Sequence, residues 1–134
     1  MLSFGEMKRL LPVVVFATAV SVTARAHHSF ARYYFETETV SVVGEIVEFE
    51  YRSPHAWVHV MVPDQNGQTQ RFSAEWFNTS RLQRLQIDKD TLKPGDRVII
   101  TGSPGRNTGE HKLHLKGIQR PADGWKWGNV QAPR

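Results

Sequence analysis

The sequence predicts a mainly all-β fold, a small five-stranded Greek-key barrel with one short helix between its third and fourth strands. Three observations carry this expectation. Residues 55–62 alternate strictly, with Ala56, Val58, Val60 and Val62 on one face and His55, Trp57, His59 and Met61 on the other; period two marks a strand. Turn signals such as Asn66-Gly67 and Pro94-Gly95 separate it from further segments rich in β-formers. The one helical pattern of the body falls after three strands and before two, the element order of an OB-fold. A small open β-sandwich of similar strand content is the rival architecture.

Residues 40–51 form the first strand, with Val40, Val42, Ile46 and Phe49 as β-formers. Gly44 marks a bulge or bend in it, as a strand serving both sheets of a barrel needs. Pro54 turns the chain into the second strand, residues 55–62. Residues 68–76 return as the third, with Phe72, Ala74 and Trp76 inward and Arg71, Ser73 and Glu75 outward. Residues 78–86 form the helix, capped by Asn78, Thr79 or Ser80. Leu82 and Leu85 supply its narrow apolar stripe. The fourth strand covers residues 97–102, with Val98 and Ile100 inward. A glycine-rich loop, residues 103–110, leads to the fifth, residues 112–119, with Leu113 and Leu115 inward. Residues 121–134 read as an irregular tail containing Trp125 and Trp127.

Ahead of the barrel lies an export signal. Lys8 and Arg9 precede an apolar run, residues 10–20, that is shorter than the roughly 20 residues a membrane span requires. Ala24-Arg25-Ala26 follows as a cleavage site, completing the secretory pattern. The expected layout is a signal peptide over residues 1–26, an extended aromatic arm over 27–39, the barrel over 40–120 and the tail over 121–134. The expected location is the bacterial periplasm or the exterior, with no membrane attachment after cleavage. Cleavage leaves 108 of the 134 residues and removes Lys8, Arg9, Arg25 and Glu6. The mature chain then holds 14 basic and 12 acidic side chains. So balanced a charge offers little attraction for nucleic acid.

Three motifs in this chain are His27-His28-Ser29-Phe30, Pro54-His55-Ala56-Trp57 and Leu92-Lys93-Pro94-Gly95-Asp96. In these the chain resembles a family of short exported bacterial proteins of unknown function, which carry Ala-His-His-Ser-Phe after the signal and a Pro-His-(Ala/Ser)-Trp strand start. The resemblance implies a small exported domain and no particular activity. The chain departs from the pattern at Ser53, where the family has Asn, and after Glu75, where Trp76-Phe77-Asn78 replace a glycine-rich stretch.

The chemistry is concentrated in six histidines. His55 and His59 are four apart on a strand, about 13 Å at ~3.3 Å per residue, so one ion cannot bind both. His111 and His114, an odd number apart, point to opposite faces of their strand and are expected at the surface. His27 differs, because cleavage leaves it as the new amino terminus. Its α-amine and its own imidazole can chelate one ion, and both lose protons at modest cost near neutrality. Nitrogens in a plane suit Cu(II), which heads the affinity order of divalent ions. One imidazole from the body would complete a histidine brace, by analogy with copper monooxygenases and copper carriers. His55 is the candidate for it, and His28 the competitor. Glu75 reads as the hydrogen-bonding partner of a liganding imidazole, or as a solvated strand carboxylate.

Other chemistries find little support. The absence of cysteine excludes thiolate metal sites and cysteine nucleophiles. No phosphate-binding glycine motif opens a helix, and no GxSxG elbow is present. The expected function is metal handling, of copper by its donor chemistry, with a periplasmic protein as a further partner and no residue that proves catalysis. The alternative is a metal-free OB-type module binding a protein or small ligand through Trp57, His59 and Glu75 or through the tail. A copper-centred oxidative enzyme is a third reading.

Overall fold

The computed structural model describes residues 30–134. His27, His28 and the segment read as a signal peptide lie outside them. The chain folds into a closed barrel from β1 (Val40–Glu50), β2 (Trp57–Pro63), β3 (Thr69–Glu75), β4 (Arg97–Pro104) and β5 (Lys112–Arg120), with α1 (Thr79–Arg84) between β3 and β4. The pairing runs β3-β2-β1-β4-β5, and β3 closes back onto β5 in parallel through Ser73–Glu75 and Lys112–His114. This is the OB-like arrangement, and closure leaves the sandwich alternative without a place.

β1 is long because it serves both halves. Its first part, Val40 to Glu45, pairs with β4, and its second, Glu45 to Glu50, with β2. The bulge falls between Ile46 and Glu48 rather than at Gly44. Gly44 has another role: a Cβ there would stand 2.7 Å from the Met61 carbonyl oxygen. The strands can approach only around a bare Cα. Gly44→Ala is therefore expected to cost about 1–3 kcal/mol, the price of overpacking, read as a lower urea midpoint at unchanged slope.

The inward faces predicted for β2 to β5 are buried except at Val62 and Phe72, which pack half-buried against the core. Val58, Val60, Ala74, Val98, Ile100, Leu113 and Leu115 are each at most 1% exposed. Asn78 caps α1, its side-chain oxygen accepting from the Arg81 N–H at 2.9 Å. The helical stripe is narrower than expected. Leu82 is buried, but Leu85 closes the helix and is exposed, and Ile87 enters the core instead. The chain reverses at Gln86 with φ of 61°, which swings Ile87 inward.

Two further segments depart from the sequence reading. The loop at 103–110 is shorter than expected, since β4 runs on to Pro104 and a 3₁₀ turn forms at Thr108–Glu110. The tail contains a sixth strand, β6 (Trp125–Gly128), antiparallel to the end of β5 that β3 does not reach. Arg120 anchors its turn, donating to Asp123 and to Asp96. Trp127 packs on Trp76 and Phe77 with ring centroids 5.0 and 5.3 Å away. The arm is not extended at its described start: residues 30–33 make a helical turn, and Tyr34 bridges to Gly105.

Candidate metal centre

The site is built where β3 meets β5. Glu75, the last residue of β3, lies opposite Trp57 of β2 and His114 of β5. One of its carboxylate oxygens bonds the His55 Nδ1 and the other accepts from the Tyr34 hydroxyl. Tyr34 is 2% exposed, held by the helical turn through a 2.8 Å bond from its N–H to the Phe30 carbonyl. Burial, and then the bond to Glu75, push the Tyr34 hydroxyl well above the usual tyrosine range. It therefore stays protonated and donates. A carboxylate only accepts, so in a neutral His55 ring the proton sits on Nδ1 and the Nε2 lone pair is left for another partner. Among the described residues none bonds it.

The same device recurs beside it. His114 Nδ1 bonds Glu36 at 2.7 Å, and the other Glu36 oxygen accepts from the Lys116 ammonium at 2.7 Å. His114 is not the surface residue its spacing suggested. It points out of the barrel between Leu113 and Leu115, but residues 30–36 cover it, leaving 9% exposed. Phe30 joins the two clusters. Its ring lies parallel to His114 at 4.0 Å between centroids and stacks on His55 at 5.5 Å. The groove around these rings encloses about 550 Å³ and is bordered by Trp76, Phe77, Arg81 and Lys116.

Burial holds the His114 imidazole below the usual histidine range, against the pull of Glu36. Burial also pushes the Glu36 carboxyl up, but bonds from Lys116 and His114 outweigh it and leave Glu36 below the usual range. Both folded values are thus depressed relative to the unfolded chain. The stability each contributes is present above its unfolded pKa and lost as pH falls through the folded one. Unfolding free energy should therefore decline from about pH 6.5 downward, continue to fall through the carboxylate range, and flatten in the upper part of that window in His114→Gln. Urea midpoints between pH 7 and 4 check this.

The remaining candidates sit elsewhere. His59, on the face opposite Val58 and Val60, is nonetheless buried: Nδ1 bonds the Ser73 hydroxyl and Nε2 bonds Glu50, both at 2.8 Å. With Glu48 and Glu50 it forms the one group of three metal-type ligands found together among the described residues. Both its ring nitrogens are engaged, and Arg52 and Arg71 pair with the two carboxylates at 2.7 and 3.3 Å. That group reads as a satisfied ion-pair network. His111 leaves the site and packs edge-on against Phe72 at 4.9 Å. Trp57 is half-buried, parallel to the His59 ring at 6.4 Å, and borders a second groove of about 450 Å³ with Arg32, Tyr33, Arg106 and Lys112.

His55 and Glu75, singled out in the sequence, are thus brought together. Tyr34, Glu36 and His114 were not singled out, and no local signal marks them. Their roles arise from the arm folding over β5.

The model of a family of unknown function, DUF6152, matches residues 15–114. No curated protein matches the chain. Among solved structures it is similar to a mitochondrial single-stranded DNA-binding protein from S. cerevisiae, at 20% identity, over 72% of this chain and 97% of that one, with a TM-score of 0.42.

Proposed function

The chain belongs to the family of unknown function DUF6152, and we propose that it is an exported bacterial protein that binds a metal ion, copper by its donor chemistry, through His27 and His55. One observation carries the reading. His55 is fixed at Nδ1 by Glu75, and the ring stacked on it belongs to Phe30, three residues after His27. Three residues span at most about 10 Å, so on this reading the amine of a chain cleaved ahead of His27 is within reach of the imidazole. A carboxylate at Nδ1 orients the ring and raises its basicity, as outer partners of metal-bound histidines do. The amine and imidazole of His27 supply the chelate, and His28 remains the competing donor. Copper handling or delivery, in the periplasm or outside the cell, follows from such a site. No helix among the described residues is long and apolar enough to cross a membrane.

Cu(II) titration followed by EPR tests this on secreted protein whose mass shows that it begins at His27. A tight one-to-one signal with nitrogen hyperfine structure is expected. Weak binding without defined stoichiometry sinks the copper reading. Glu75→Gln should loosen the complex by about 10–100-fold, the scale of lost outer partners, as read by competition with a chelator.

The second reading is an OB-type binding module without metal. The groove beside Trp57 favours it: the Lys112 ammonium lies 5.9 Å from the Trp57 ring centre, and Tyr33 is 63% exposed. On this reading His55→Ala leaves function intact and Trp57→Ala impairs the capture of a periplasmic partner.

A further inference from the structure

We propose that the groove beside Trp57 binds an acidic sugar, a pyranose carrying a carboxylate, with its ring face on Trp57 and its charge on Arg106 and Arg32. This rests on the second reading above, which it narrows to one class of ligand, and it needs no metal. The groove, of about 450 Å³, falls within the ~300–1,000 Å³ typical of small-molecule sites. Two guanidinium groups on its wall are free to take an anion. Neither Arg32 nor Arg106 pairs with a carboxylate among the described residues. Lys112, by contrast, is committed to Glu110 at 3.1 Å.

Arg106 is fixed before any ligand arrives. Its Nε donates to the Ala31 carbonyl and its backbone N–H to the Tyr33 carbonyl, both at 2.8 Å. Its guanidinium lies over the Phe35 ring, 4.4 Å from the centroid. The terminal nitrogens have no partner among the described residues, so a planar fork remains to grip a carboxylate through two parallel bonds. A group held beforehand loses little freedom on binding. Arg32, against the Tyr33 ring at 5.9 Å, adds a second charge. Trp57 is half-buried, and its ring offers apolar surface to the C–H face of a pyranose. Glu110 supplies the acceptor that hydroxyls need. Asn107 Nδ2 and Lys112 Nζ hold it at 3.0 and 3.1 Å, and its remaining lone pairs are available. The same carboxylate, with Glu75 on the groove wall, opposes a polyanion. The chemistry therefore favours a hydroxyl-rich ring with one negative charge over a chain of phosphates.

Isothermal titration calorimetry on the intact chain tests this with trimers of galacturonate and of mannuronate, the methyl ester of the galacturonate trimer, and a thymidine hexanucleotide. At least one uronate trimer is expected to bind one-to-one, tighter than about 1 mM. Methyl esterification and Arg106→Gln should each weaken binding about 10–100-fold, the worth of hydrogen bonds to a charged group. Arg106 also holds the arm, so Arg32→Gln, at an exposed position, is the second variant; it should weaken binding about 2–5-fold at an unchanged melting temperature. No binding of either uronate trimer overturns the assignment. So does equal binding of ester and free acid, or binding of the oligonucleotide alone; where Trp57→Ala abolishes that binding, the second reading still stands. Uronate binding that Trp57→Ala leaves unchanged overturns both.

Discussion

Acetylation of the His27 α-amine is expected to remove the nitrogen-rich Cu(II) EPR signal and to weaken binding by more than about 100-fold. The reasoning is geometric. In the cleaved chain the α-amine and the imidazole of His27 belong to one residue and close a small chelate ring on the ion. Acetylation turns that amine into an amide and leaves no free amine at the chain start. An amide gives up its proton far less readily than an amine, whose pKa is near 7.7–8.0. Removing an outer partner of a metal-bound histidine costs about 10–100-fold; losing a bonding nitrogen and its chelate ring should cost more. The barrel is untouched, so circular dichroism and the melting temperature should not change. Equal binding by the acetylated and unacetylated proteins would show that the amine is not a ligand. The comparison needs protein exported and cleaved by the cell, or matured in vitro, because an initiator methionine ahead of His27 would place His28 third and build a different copper chelate.

The largest effect on stability is expected at Trp76. Trp76→Ala should cost about 3–5 kcal/mol, the range for emptying a large buried aromatic site. Trp76 is 1% exposed and contacts Phe49, Phe77 and Trp127, with ring centroids 6.2, 6.4 and 5.0 Å away. It therefore joins β1, the segment after β3 and the sixth strand. Small domains have about 5–15 kcal/mol in total, so the variant should melt more than about 10 °C lower. Its backbone exchanges bonds with the chain around Ala56, through Trp76 N–H to the Ala56 carbonyl at 2.8 Å and Ala56 N–H to the Phe77 carbonyl at 2.9 Å. His55 is next in sequence, so copper affinity should fall as well. Trp57→Ala, at a half-buried position, should move the melting temperature far less. A similar loss in both variants would contradict this account of the core.

The strands were legible because their periodicity is local. Val58 and Val60 alternate with Trp57 and His59, and the pleat alone sends them to opposite faces. Asn78 as a cap and Pro94-Gly95 as a turn were legible for the same reason; Gly95 takes a φ of 94° that suits glycine. β6 was not legible. Trp-Lys-Trp-Gly is too short for a pattern, and it becomes a strand only because part of the β5 edge is left open by β3. Nor could the stripe on α1 be read to its end, since Leu85 lost its place when the chain reversed at Gln86.

What the sequence determined by itself was the order of elements, the inward faces of the barrel strands and the presence of histidines with few competing chemistries. Each depends on residues within a few positions of one another. The surroundings of those histidines were decided by the tertiary structure. Glu75 reaches His55 across 20 residues and Glu36 reaches His114 across 78. An outward-facing strand position is exposed or buried according to what the rest of the chain lays over it. Here the segment beginning at Phe30 covers one end of the β3–β5 seam, and a residue whose spacing reads as surface becomes an oriented, nearly buried imidazole.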